Sequence, residues 1–185
     1  MPNAADTLPS MGQIFTVGHS IHPIDEFVTM LAGFGVALVA DVRTVPRSRH
    51  NPQFSEESLR QSLPQHSIGY EHIAALGGLR RPAKDSPNTG WNNASFRGYA
   101  DYMQTPEFSA GLNKLIRLSA AAPVAVMCAE AVPWRCHRSL IGDALLVRGF
   151  EVTDIMSATH ARPHNLTRFA QVDGLTITYP PVEEG

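Results

Sequence analysis

Cysteine is almost absent from this chain: two residues in 185, Cys128 and Cys136. Two are too few for the disulfide framework that staples small secreted domains. Lysine is as scarce, since only Lys84 and Lys114 belong to a basic set of 15, the rest being arginine. An excess of one charge is missing too. The formal net charge of −2 excludes a strongly basic, sequence-blind binder of long nucleic acid. The longest apolar runs, VALVA at 36–40 and PVAVMCA at 123–129, fall far short of the roughly 20 residues that a membrane-spanning helix needs. The opening MPNAADTLPSMGQ has neither the basic start nor the apolar centre of a secretion signal. Residues 1–12 are therefore expected to be a loose tail, and the chain is expected in a reducing cytoplasm.

Hydrophobic residues make up 43% of the chain and charged residues 17%, the balance of an ordered globular protein. Its length suits one domain with a real core, expected over residues 13–180. Apolar runs alternate with helical spacing along it. Ile14 to Val17 reads as a strand followed by Gly18, His19 and Ser20. After Pro23, the spacing of Ile24, Phe27, Val28 and Leu31 predicts a helix that Gly33 or Gly35 stops. Val36 to Arg43 reads as a strand buried on both faces, and Ser55 opens a helix through Leu59 and Leu63.

Ile68 to Leu76 predicts a third strand with a ragged end, and Gly77 to Ser95 a long loop rich in glycine, proline and asparagine. A helix from Phe96 precedes a second one capped by Thr105 and Pro106, with Phe108, Leu112, Leu115 and Ile116 on one face. Pro123 to Cys128 is the next strand, the stretch from Arg135 to Gly149 a helix, and Glu151 to Met156 a further strand. GLTITYPP, near the end, predicts an edge strand. This alternation argues for a single Rossmann-like three-layer α/β domain: a mostly parallel sheet with helices on both faces.

Ligands of such sheets bind beyond the carboxyl ends of the strands. The reactive residues fall there. His19 and Ser20 follow the first strand. Asp41 and Arg43 end the second, with Arg47, Ser48 and Arg49 behind them. Cys128, Glu130, Trp134, Arg135, Cys136, His137 and Arg138 follow the fourth, and His160, Arg162 and His164 follow the fifth. A strand, a tight loop and a helix N-terminus make an anion-binding geometry, in which nearby arginines favour a cysteine thiolate. Either cysteine suits a nucleophile by its position. Each residue also has a plainer role available: Cys128 as a small buried side chain, Trp134 as a loop plug, Arg138 as a partner of Glu130 that holds the loop shut, and His19 as a hydrogen-bonded core histidine.

Four stretches, TVGHS at 16–20, DVRTVPRSRHNPQFS at 41–55, YEHIAALGG at 70–78 and CAEAVPWRCHRS at 128–139, together resemble the family called domain of unknown function 488, over about Ile14 to Tyr179. The motif positions carried by the resemblance are Gly18, His19, Ser20, Asp41, Arg43, Pro46, Ser48, Gly77, Gly78, Cys128, Glu130, Cys136, His137 and Arg138. RPHNLTRFA at 162–170 adds His164. The resemblance implies an α/β fold with a shared polar site, and it brings no established reaction.

Three chemistries fit these residue types. The first is an enzyme acting on a small anionic substrate, nucleotide-like or phosphorylated. Catalytic candidates are Cys128, Glu130, Cys136, His137 and His19; anion-binding candidates are Ser20, Asp41, Arg43, Ser48, Arg135, Arg138 and His164. The interval from Cys128 to Arg135 is one residue longer than the C-x5-R phosphatase loop, and Glu130 brings a negative charge into it, so a phosphatase is not favoured. The second is a metal site using Cys128, Cys136 and His137 with His19 or His164, although the spacing is wrong for a structural zinc module. The third is a non-catalytic nucleotide or nucleic-acid module, with Arg43, Arg47, Arg49, Arg80, Arg81 and Arg97 on phosphates and Trp91, Phe96 and Tyr99 on bases. A serine triad is set aside because no G-x-S-x-G elbow occurs. The sequence requires no cofactor and no membrane partner.

Overall fold

Ile14–Gly18 forms the first strand (β1), buried at every position. In chain order follow α1 (Ile24–Gly33), β2 (Leu38–Asp41), α2 (Glu56–Ser62), β3 (Gly69–His72), α3 (Ala94–Tyr102), α4 (Pro106–Ala121) and β4 (Val124–Cys128). Then come α5 (Arg138–Val147), β5 (Val152–Ile155), β6 (Ala161–Pro163), β7 (Gln171–Asp173) and β8 (Thr176–Thr178). This architecture is that of a computed structural model, which describes residues 11–183. The tail expected at 1–12 lies outside the described residues except for Met11 and Gly12.

The main sheet has six strands in the order β3-β2-β4-β1-β5-β6, with β6 antiparallel and all other neighbours parallel. Helices cover both faces. Phe27 and Leu31 of α1 and Leu59 of α2 pack on Phe15, Val17, Val39, Ala125 and Met127. On the other face Tyr99, Phe108, Leu112, Leu140 and Ile141, from α3, α4 and α5, pack on Ile14, Ala40, Val124 and Val126. Alternate residues of each strand thus enter opposite clusters, and both clusters are apolar, which gives the continuous runs seen in the sequence. The period places Cys128, the last residue of β4, on the α5 side.

The helix starts obey local chemistry. Asn93 Oδ1 accepts the Ser95 N–H at 2.8 Å, and Ser55 Oγ and Thr105 Oγ1 accept from Ser58 and Phe108 at 3.3 Å each. Three expectations need correction. The helix after β4 begins at Arg138, because Pro133–Arg135 makes its own short 3-10 turn and Cys136 is extended. Cys136 therefore precedes the helix rather than lying in its first turn. The C-terminal strand β8 pairs with β7 in a separate hairpin rather than with the main sheet. The edge strand beside β5 is instead β6, whose Ala-Arg-Pro sequence carries no strand pattern, and Pro163 ends it. No helix among the described residues is long and apolar enough to cross a membrane.

Candidate active site

At the carboxyl end of β4 the chain must turn away from a sheet that is packed on both sides. Gly18 of β1 pairs in register with Cys128. His19 and Ser20 continue that pairing, donating backbone N–H groups to Cys128 O and Ala129 O at 2.9 Å each. The Glu130 carbonyl then comes down against Gly18 so closely that any Cβ there would collide with it. This contact explains the glycine of TVGHS. Ser20 pays with φ at 46°, the left-handed region that non-glycine residues rarely adopt.

The turn is held from inside by Arg138, the first residue of α5 and 0% exposed. Its Nη1 donates to Glu130 O at 2.5 Å and to Cys128 Sγ at 2.7 Å, and its Nη2 donates to Ala131 O at 3.1 Å. Arg138 does hold the loop, but through main-chain carbonyls rather than the Glu130 carboxylate, which is exposed. Burial lowers the Arg138 pKa to about 10, against the opposing charges of Asp154 and Glu130, so the group is cationic at neutral pH. Among the described residues its Nε finds no partner. Among the described residues, no carboxylate lies within ion-pair distance of it. A buried cation needs a counter-charge close by. Among the described residues, the only group in hydrogen-bond contact with the Arg138 guanidinium that can become an anion is the Cys128 sulfur.

Cys136 stands opposite. The Arg138 backbone N–H, the first of α5, points at Cys136 Sγ at 3.4 Å, and His137 Nδ1 lies 3.5 Å from the same sulfur. The Sγ atoms of Cys128 and Cys136 are in contact. His137 Nε2 bonds to Val42 O at 2.8 Å and must donate there, which leaves Nδ1 as an acceptor facing Cys136. Burial lowers the His137 pKa to about 4, so the ring is neutral. The imidazole fits only because residue 78 is glycine: a Cβ there would stand 2.5 Å from Nδ1.

Both cysteines lie at the floor of a cleft of about 460 Å³, 2% and 5% exposed. Its walls include His137, Glu130, Arg43, Arg47 and Arg135, with Asn93, Ser95 and Phe96 from the far end of the long loop and the start of α3. Arg47 and Arg135 are exposed, and among the described residues neither is paired with a carboxylate. Arg43 is engaged differently. Its Nε and Nη2 fork onto Asp41 at 2.9 and 2.7 Å, Nη2 also donates to Phe54 O at 2.7 Å, and Nη1 donates to His19 Nε2 at 3.3 Å.

Behind this cleft sit Asp41 and His19. Asp41, 0% exposed, also accepts the Tyr70 hydroxyl at 2.5 Å. Burial raises the Tyr70 pKa, and its bond to Asp41 adds to the rise. His19 stacks on Phe54 at 4.3 Å, and its Nδ1–H donates to Ser20 O at 2.9 Å. Burial lowers its pKa to about 4, with Arg43 adding to the effect and the Ser20 bond opposing it. His19 is thus a neutral, sealed brace on Arg43.

Other candidates lie apart. Ser20 and Ser48 are not in the cleft wall, and Ser48 Oγ accepts the Asn51 N–H at 3.0 Å. His164 belongs to a second cleft of about 380 Å³. There it bridges two buried carboxylates, Asp143 at 3.0 Å and Asp154 at 3.4 Å, while Tyr179 donates to Asp143 at 2.8 Å and Thr16 to Asp154 at 2.6 Å. Burial alone would lower the His164 pKa, but the two carboxylates outweigh it and push it up to about 9. The ring is a structural imidazolium. Asp143 and Asp154 gave no sequence signal, since each sits singly within an apolar helix or strand.

The base-stacking set is reduced as well. Tyr99 is wholly buried, its hydroxyl on Leu76 O, while Trp91 stacks on Phe96. Arg80 lies over the Tyr102 ring at 3.6 Å, and Arg97 donates to Trp91 O and Asn92 O. Among the described residues, no group of three or more His, Cys, Asp or Glu side chains is arranged to hold a metal ion.

The family model described as "Domain of unknown function DUF488" matches residues 23–145. The chain belongs to this family. The matched span of the DUF488 family contains β2, the long loop, both cysteines and Arg138, whereas TVGHS and the His164 stretch lie outside it. No curated protein and no solved structure matches the chain.

Proposed function

We propose that this DUF488 protein is a cysteine-dependent enzyme of the cytoplasm, with Cys128 as nucleophile toward a small anionic substrate that is phosphorylated or nucleotide-like. One observation carries the reading: Cys128 Sγ, at the floor of an open cleft, accepts a 2.7 Å bond from a buried guanidinium that has no carboxylate partner among the described residues. The permanent charge of Arg138 favours the thiolate, the reactive form of cysteine, without help from a histidine. That suits a site whose histidines are neutral.

Arg47 and Arg135 reach the same cleft with guanidiniums open to a ligand, and they supply the anion grip. A cavity of this size accepts a small molecule and not a folded polymer. In the reaction the Cys128 sulfur forms a bond to the electrophilic centre of the substrate as the bond to the leaving group breaks. The leaving group departs with a proton from solvent, and the Glu130 carboxylate, on the cleft wall, takes one from the water or acceptor that releases the covalent intermediate. Arg43 and Asp41 fix the wall, and His19 holds Arg43.

The test is a screen of phosphorylated and nucleotide compounds against the reduced protein, with turnover and intact mass as readouts. A substrate consumed by the native chain and by C136S, but left untouched by C128S, supports the assignment. Turnover that survives C128S ends it.

A further inference from the structure

A single nucleophile does not account for Cys136. Its sulfur lies in the same cleft floor, against Cys128, and the two thiols share one residue: Arg138 holds Cys128 Sγ through its side chain and Cys136 Sγ through its backbone N–H. A purely structural second cysteine would have no reason to face the cleft, nor to have an imidazole acceptor 3.5 Å away. Resting on the nucleophile reading above, we infer that Cys136 is the resolving cysteine of Cys128, so that a hydroperoxide silences the site reversibly and a dithiol restores it.

The chemistry balances. The Cys128 thiolate attacks the peroxide oxygen, the O–O bond breaks, and the alcohol leaves with one proton from water, giving Cys128 sulfenic acid. The Cys136 thiol attacks the Cys128 sulfur, the S–O bond breaks, and water departs carrying the thiol proton and the hydroxyl. His137 Nδ1 is placed to relay that proton. The product is the Cys128–Cys136 disulfide. A dithiol of low molecular weight, or a small dithiol protein, then exchanges with it and leaves two thiols and its own disulfide.

The direction of this couple follows from the surroundings. Reduced, the Cys128 thiolate answers the charge of Arg138; oxidised, that anion is gone and the guanidinium is left with carbonyls alone. A charge contact present only in the reduced state makes a disulfide easier to reduce. The pair is accordingly a labile switch rather than a staple, consistent with a chain that lacks any disulfide framework.

The test uses the full chain, reduced with dithiothreitol, desalted, and exposed to equimolar hydrogen peroxide. The expected product is two hydrogens lighter by intact mass, with both cysteines shielded from alkylation within one chain and both recovered on adding dithiothreitol. In C136S, dimedone should trap Cys128 as its sulfenic acid, and Cys128 should reach sulfinic acid at least about tenfold faster than in the native chain. The inference is overturned by two alkylatable thiols remaining after peroxide, by disulfides joining separate chains, or by equal rates of sulfinic acid formation in C136S and the native protein. Alkylation of Cys128 in the anaerobic, reduced protein separates the two claims. A fast-alkylating Cys128 that never pairs with Cys136 removes the switch and leaves the nucleophile standing.

Discussion

Replacing Arg138 by methionine removes the guanidinium from beside Cys128 while keeping a side chain of similar length in the core. The work is best done in a C136S background, so that one sulfur reports and no disulfide forms. The bond at 2.7 Å is charge-assisted once Cys128 ionises. Hydrogen bonds to charged groups contribute about 1.5–3 kcal/mol, so the thiolate-to-thiol ratio should fall by about 10- to 150-fold. Part of that loss returns, because a more basic thiolate is the better nucleophile; a Brønsted slope of about 0.5 gives back half of it on a logarithmic scale. The net expectation is a ~3- to 12-fold slower alkylation by iodoacetamide in mildly acidic buffer, with the midpoint of the rate-against-pH curve moved upward. Arg138 also holds the carbonyls of Glu130 and Ala131, so thermal unfolding must be followed in parallel. Arg138→Lys keeps a charge without the planar fork and should fall between the two. An alkylation rate and midpoint unchanged in a folded Arg138→Met protein would refute the reasoning.

Arg47→Ala and Arg135→Ala should each weaken binding of a phosphorylated ligand by about 10- to 100-fold in calorimetric titration while leaving the melting temperature in place, since both side chains are exposed. Asp41→Asn strips the buried Arg43 of its counter-charge and should destabilise the fold by about 3–5 kcal/mol in urea unfolding, whereas Tyr70→Phe should cost about 1–2 kcal/mol. His164 titrates at about 9 in the folded chain against about 6.5 unfolded, so its contribution is full below the lower value and is lost as pH rises through the upper one. His164→Gln should therefore cost about 2–3 kcal/mol near pH 6, progressively less as pH rises toward 9, and little above it, in denaturant midpoints. On the acid side Asp154, held below the usual carboxylate range because the His164 and Thr16 bonds outweigh its burial, contributes above its unfolded pKa, and that contribution is lost as pH falls.

Most of the architecture was legible because continuous apolar runs mark strands covered on both faces, Ser55 and Thr105 mark helix starts through the same hydrogen bonds that the structure displays, and Pro106 marks one by having no N–H to satisfy. The rule that ligands meet strand ends singled out Cys128, Glu130, Arg135, Cys136, His137 and Arg43, and these residues line one cleft. Sequence position could not divide partners from braces. Whether Arg43 holds a ligand or Asp41 depends on a two-residue fork at the end of β2, and whether Arg138 meets a ligand or the loop carbonyls depends on the rotation of α5, which turns it inward. The fate of His164 rested on Asp143 and Asp154, residues 21 and 10 positions away whose carboxylates meet only after α5 and β5 have packed. β6 and β7 left no mark in the sequence, and β8 was legible as a strand but not by its partner, because three-residue strands carry too few side chains to show a period.

The charge on one sulfur bears the whole account, and ultraviolet thiolate absorbance against pH, in reduced native protein with C128S and C136S beside it, measures it directly. One thiolate persisting well below the range of an ordinary cysteine, retained in C136S and lost in C128S, is the predicted result. Two cysteines that ionise together as free thiols do, or a low-pH thiolate that survives C128S, would contradict it.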